Sequence, residues 1–250
     1  MPRPIRERIA KQREEIALSD ESHNATTTRK PTSGGYYVLG FKIETTDIDE
    51  ARKQFPQSQL LIWQPLRNSD CSECVLHKQA KTVCNLGNGA VPCDGAVLGE
   101  APGSDEDEHG TPFCGKAGMF LRRMLRETGL DWRELFFLNT VACHPPKNRP
   151  PKAKEIKTCT SLFLIKQVDL VKPKAVLVLG NTALRAITGK KGAITKVEGS
   201  IISKDGVRYV LCCHPSYVLR FKSQENRQAF KQNLVLFHDA LYPRTTEKES

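Results

Sequence analysis

Ala96-Val97-Leu98-Gly99-Glu100-Ala101-Pro102-Gly103-Ser104-Asp105-Glu106-Asp107 is the stretch on which the fold turns. Its first residues are a short apolar run that reads as a buried strand, Ala96–Gly99. The chain then breaks into a turn with one Pro and two Gly, crowded with carboxylates. Gly110-Thr111-Pro112-Phe113 follows, ahead of a helical pattern over Ala117–Thr128. A strand ending in a Gly/Pro turn is where an open α/β sheet places a ligand, at the carboxyl edge of its strands.

Three further apolar runs have the same character: Leu135–Val141, Ala175–Gly180 and Arg208–Cys212. Short, near-continuous apolar strands fit a sheet covered on both faces. Helical patterns lie between and after them, over Ala153–Val171, Thr182–Thr188 and Gln224–Leu241. The alternation predicts an α/β fold with a parallel sheet and right-handed crossovers. Gly199–Arg208, with its Lys204-Asp205-Gly206 turn, reads as a hairpin leading into the last strand. In a parallel sheet all carboxyl ends share one edge, so the Glu100–Asp107 loop, Asn139 and His214 should converge on one crevice.

Around this core the composition is informative. The chain has 250 residues and a formal charge of +10, which suits a polyanionic partner because Lys and Arg release counterions when they neutralise phosphates. A merely soluble basic protein is the plainer reading of the same charge. Nothing approaches the ~18 apolar residues of a membrane span, and the N-terminal stretch lacks an apolar signal core. A cytoplasmic protein is therefore expected. Residues 1–55 read as a basic, partly disordered arm, with an amphipathic pattern over Pro4–Leu18 and a linker-like Ser19–Gly35. Residues 56–243 read as the globular domain and 244–250 as a tail.

Nine cysteines in a reducing compartment point to ligands rather than a disulfide framework. Cys71-x2-Cys74 places two thiols on one turn, and Cys143 and Cys159 flank a Pro-rich loop. Four thiolates can close a metal centre, and the wide second spacing fits a [4Fe–4S] cluster better than zinc, which favours a second close knuckle. The bland alternative is buried cysteines behaving as small hydrophobes. Cys84, Cys93, Cys114, Cys212 and Cys213 have no readable partner spacing.

Taken together, these motifs resemble the iron–sulfur (family 4) uracil-DNA glycosylases. The resemblance rests on Gly99-Glu100-Ala101-Pro102-Gly103-x-x-Glu106-Asp107 and Gly110-x-Pro112-Phe113-x-Gly115-x-Ala117-Gly118. Asn139, Pro145-Pro146-Lys147-Asn148-Arg149-x-Pro151 and His214-Pro215-Ser216-Tyr217-Val218-Leu219-Arg220 complete it, with the cysteine spacing. It implies a three-layer α/β/α sandwich around a four-stranded parallel sheet. It also implies a structural [4Fe–4S] cluster on Cys71, Cys74, Cys143 and Cys159, and removal of uracil from single- or double-stranded DNA. Phe113 would stack on the flipped base, Asn139 would bond its pairing edge, and Gly99, Ala101 and Gly103 would line its pocket. His214 would stabilise charge on the departing base, Glu106 would position water, and Glu100 shares that loop. Ser216 would hold a phosphate, and Val218, Leu219 and Arg220 would occupy the gap in the duplex. A monomer is expected, with the arm as the place for any protein partner. The rival is a non-catalytic module of the same fold that binds DNA or a partner without turnover.

The residue types suit that chemistry. A base in a duplex must leave the stack before its glycosidic bond can be reached. An Asn side chain offers the donor and acceptor needed to complement the two carbonyls and one N–H of uracil. A histidine donor stabilises negative charge developing on the base, and a carboxylate orients water at the sugar.

Overall fold

The computed structural model describes residues 71–89 and 93–243, and the backbone of three short strands before them. Those strands, β1 (Tyr36–Val38), β2 (Phe41–Ile43) and β3 (Leu60–Ile62), form an antiparallel sheet in the order β2-β1-β3. β1 and β2 fall within the stretch read as an arm. The expected amphipathic helix over Pro4–Leu18, the Ser19–Gly35 linker and the 244–250 tail lie outside the described residues.

The larger sheet contains β4 (Gly95–Gly99), β5 (Leu135–Asn139), β6 (Ala175–Leu179), β7 (Ile201–Lys204) and β8 (Val207–Cys212), in the order β5-β4-β6-β8-β7. β5, β4, β6 and β8 are the four parallel strands expected. The count of four is corrected to five. The first arm of the anticipated hairpin joins the sheet as β7, antiparallel to β8. Asp205 (φ 50°) and Gly206 (φ 77°) both take left-handed conformations in its two-residue turn, the geometry that matches the twist of the flanking strands.

Period-2 alternation sorts the strand residues onto two faces. Val97, Phe137, Leu177, Val210 and Cys212 face one way, against Leu121 and Leu125 of α2 (Lys116–Glu127) and Phe230, Leu234 and Phe237 of α6 (Gln224–Leu241). Leu98, Phe136, Val178 and Leu211 face the other way. There they meet Leu164 and Val171 of α3 (Ala153–Val171) and Ala183 and Leu184 of α4 (Gly180–Thr188). Three layers result, and each fully buried Leu or Phe contributes roughly 1.5–3 kcal/mol. α3 runs as Ala153–Cys159, a π-spaced turn Thr160–Leu164, and Ile165–Val171, so the pattern read over Ala153–Val171 forms one interrupted helix.

Two helices escape the sequence pattern. α1 (Ser104–His109) is built from Ser-Asp-Glu-Asp-Glu-His, and its first-turn carboxylates complement the positive end of the helix dipole. α5 (Pro215–Phe221) starts on the proline after His214, a residue suited to the first helical position.

The sheet's edges are finished differently. On the far side of β5, Asn88 and Phe137 exchange backbone hydrogen bonds at 2.8 and 2.7 Å in a single antiparallel bridge. At the other edge β7 is short, and its Ser203 and Lys204 are exposed. Register places Gly99 opposite Asn139 and Leu179 opposite Cys212, so the loops after β4, β5 and β8 leave the same edge together.

Candidate active site

A cavity of about 570 Å³ opens at that edge, and Glu100, Phe113, Asn139 and His214 all line it. Its floor depends on Gly99. A Cβ there would lie 2.4 Å from the Asn139 Oδ1 and 2.6 Å from the Phe113 Cζ, so only glycine lets both side chains occupy the strand end. Asn139 is buried, and its side-chain amide has no hydrogen-bond partner among the described residues.

Phe113 holds a left-handed backbone (φ 57°), which costs a bulky residue about 1–3 kcal/mol and persists only where the surroundings enforce it. Gly118 is part of that enforcement: a Cβ there would sit 1.7 Å from the Phe113 carbonyl oxygen. The result is a buried Phe113 ring, 5.5 Å from the Phe137 ring and reaching over Gly99.

Glu106 ties this turn to the next. One carboxylate oxygen accepts from the Gly103 N–H at 3.0 Å, half of a capping box for α1. The other accepts from the Gly115 N–H at 2.8 Å, at the start of α2. Glu106, Gly103 and Ala101 all line the cavity. Glu100 accepts a hydrogen bond from the Thr182 hydroxyl on α4.

At the end of β8, the His214 Nδ1 accepts from the Ser216 N–H at 3.2 Å and caps α5. Nδ1 is therefore the bare nitrogen and Nε2 carries the proton. Burial of the ring pushes the His214 pKa down to about 4, so the imidazole is neutral at physiological pH. Gly180 (φ 86°) leaves room for it, with a Cβ there meeting the His214 Cβ at 3.3 Å.

Ser216 and Arg220 line the mouth of the cavity, and Leu219 is exposed. Val218, expected with them at the DNA, is 4% exposed and packs into the core beneath α5. One helical turn cannot point adjacent side chains the same way, and at this phase Val218 faces the core that α5 shares with α2 and α6.

The loop between Cys143 and Cys159 is clamped from both sides. Arg149 donates two bonds to Glu155, at 2.9 and 2.7 Å, and the Lys152 N–H donates a third at 2.6 Å. The Arg149 guanidinium is the main reason the Glu155 carboxyl is held below its ordinary pKa. His144 donates from Nε2 to the Asn148 Oδ1 at 2.9 Å, its Nδ1 lies 3.5 Å from Asp107, and Asn148 lines the cavity. Asp107 in turn accepts from the Lys81 and Thr82 N–H groups, both at 3.0 Å, joining α1 to the Cys71–Cys84 segment.

Cys74, Cys143 and Cys159 share one apolar cluster, and Cys71 lies in an adjoining one. Burial, with the neighbouring Cys74, Cys143 and Cys71 thiols, pushes Cys159 up to about 12. Such a set is costly to ionise unless a cationic group neutralises it, so the donor chemistry fits a metal centre. Among the described residues, no three His, Cys, Asp or Glu side chains converge closely enough for a single ion. Cys84, which had no readable role, adds a fifth sulfur. Its N–H donates to the Cys143 Sγ at 3.3 Å, and the neighbouring Cys143 thiol, burial and the Cys71 thiol push its own thiol pKa up.

With this geometry in view, comparison with known proteins is decisive. The profile of the uracil DNA glycosylase superfamily matches residues 86–236, which carry every cavity residue named above. The chain belongs to the uracil-DNA glycosylase superfamily. It is 38% identical over 170 residues to a type-4 uracil-DNA glycosylase of Thermotoga maritima, covering 67% of this chain and 88% of that protein. A type-4 enzyme of Pyrobaculum aerophilum is 34% identical over 176 residues, covering 67% and 88%. One from Sulfurisphaera tokodaii is 36% identical over 160 residues, covering 62% and 65%. In this superfamily member no helix among the described residues is long and apolar enough to cross a membrane.

Proposed function

We propose that this protein flips uracil out of DNA and hydrolyses its N-glycosidic bond, leaving an abasic site. The observation that carries the reading is the convergence of Phe113, Asn139 and His214 on one cavity over Gly99. It supplies an aromatic face, a buried amide and a neutral imidazole donor within a cavity roomy enough to admit an extruded base. The type-4 relatives carry the same activity in their names.

Phe113 stacks on the extruded base, and Asn139 meets its pairing edge with one donor and one acceptor. As the N1–C1′ bond breaks, its electron pair passes to the base, and the His214 Nε2–H donates to the uracil O2 that takes up the charge. A neutral donor already held by Ser216 needs no reorganisation at that moment. Water adds to C1′ from the Glu106 side of the cavity, and the proton it gives up ends on the uracil anion, which leaves as the neutral base. Glu106 uses one lone pair of each oxygen on Gly103 and Gly115 and has others free to orient that water, while Glu100 stays fixed by Thr182. Ser216 holds a phosphate, and Leu219 and Arg220 enter the space the base has left, with Val218 anchoring α5 from below.

Cys71, Cys74, Cys143 and Cys159 would hold a [4Fe–4S] cluster, whose chemistry here is to cross-link the Cys71–Cys84 segment to the loop that carries His144 and Asn148. The reading is tested by incubating the protein with a uracil-containing oligonucleotide, treating with alkali and resolving the strands. Cleavage at uracil is expected. Intact strands, with DNA binding retained, would instead support a non-catalytic module of the same fold.

A further inference from the structure

α5 carries an aromatic pair to which the proposed chemistry gives no part. Tyr217 and Phe221, one turn apart, pack against each other with ring centroids 4.6 Å apart and planes tilted by 48°, yet Phe221 remains 55% exposed and Tyr217 37%. The pair is continuous with the proposed uracil site, because Tyr217 lines the same cavity as Lys116 and Arg220. Lys116 and Arg220 are exposed at that cavity and Lys222 is exposed next to Phe221 in the chain, so positive charge neighbours the apolar surface. It is also rigid, since Val218 anchors α5 in the core and His214 caps its start.

We propose that Tyr217 and Phe221 form a stacking shelf for a base next to the flipped nucleotide, and that the shelf makes this protein hold single-stranded DNA in preference to duplex. The inference rests on the uracil reading for the position of the strand. In a single strand, a base whose neighbour has been extruded loses a stacking partner, and an aromatic face replaces it at no cost in pairing. In a duplex the same base stays paired to the opposite strand, and reaching the shelf requires melting. Stacking on aromatic side chains beside a basic track is a sequence-tolerant way to hold single strands, and the three cations fit the phosphates on either side.

The test measures affinity by fluorescence anisotropy at one fixed salt concentration, using a uracil-free single strand in which a stable abasic analogue leaves the gap of the extruded base, and its matching duplex. Phe221→Ala should weaken single-strand binding on the order of tenfold, with a much smaller loss on duplex. Phe221→Trp should restore it. Phe221→Leu, which keeps apolar bulk without a π face, should bind single strand as poorly as Phe221→Ala. No loss in Phe221→Ala, equal losses on both DNAs, or full binding by Phe221→Leu would each overturn the shelf. The probe contains no uracil, so this outcome is independent of whether the wild-type protein excises the base.

Discussion

The Ser216 N–H donates to the His214 Nδ1 at 3.2 Å, and this one bond decides which face of the imidazole is available to substrate. It leaves Nε2–H as the free donor of the imidazole, on a ring whose burial lowers its pKa to about 4.

Single-turnover excision should therefore hold its rate as pH falls through 6.5 and decline only towards pH 4. His214→Ala should slow base release by about 10²–10³ while changing DNA affinity little, because the donor matters most as charge develops. Stability follows the same group. The unfolded chain protonates this histidine near 6.5 and the folded chain near 4, so the unfolded state binds more protons between those values. The His214 contribution to stability should rise with pH from about 4 to 6.5 and be level above, which His214→Ala would remove from a series of melts across pH.

Glu106 serves two backbone donors, and an amide can serve only one of them. Glu106→Gln should leave an N–H of Gly103 or Gly115 unpaired and cost about 1–3 kcal/mol. For a domain of this size each kcal/mol corresponds to roughly 2–4 °C, which a thermal melt resolves. Excision should fall as well if, as proposed, this carboxylate orients the water.

Gly99→Ala should abolish uracil excision by driving a methyl group into the Asn139 amide and the Phe113 ring, while DNA binding through Arg220 survives. Asn139→Asp tests the same floor by chemistry. An ionised carboxylate only accepts, so uracil excision should fall and cytosine, whose exocyclic amine is a donor, should be better tolerated. Single-turnover assays on paired U- and C-containing oligonucleotides measure both.

Anaerobically purified protein should be brown, absorbing near about 400 nm as thiolate-bound iron–sulfur clusters do. Cys143→Ala or Cys159→Ala should lose the colour. Colourless wild-type protein with stoichiometric zinc would reject the iron–sulfur assignment.

Much of this was legible in the chain because the site lies at strand ends, where Gly and Pro interrupt apolar runs. The positions of Gly99, Asn139 and His214 follow from four short strands and the parallel rule alone. α1 was not legible, because Asp105–Glu108 has the composition of solvated surface; it forms a helix through Glu106 reaching back to Gly103. β7 was seen as half of a hairpin but not as a fifth strand, since its polar residues suit an edge and a loop equally. The inward turn of Val218 depends on the rotational phase of α5, which a seven-residue motif does not define. Cys84 reaches Cys143 across 59 residues, a contact that no local spacing reports.

The two edges of the large sheet bear on how this protein survives at high concentration. An unfinished edge is a template for another chain, and growth by strand addition ends in aggregates. Here the β5 side is sealed by the Asn88 bridge, and the β7 side is blunted by its brevity and by Lys204. The seal is the more fragile, because the flanking Gly89 has no room for a side chain: a Cβ there would lie 2.5 Å from the Leu135 carbonyl oxygen. A change at Gly89 would strike the start of β5, four residues and so about 13 Å from Asn139 at the ~3.3 Å rise of each strand residue, and would open this edge to strand addition by another chain.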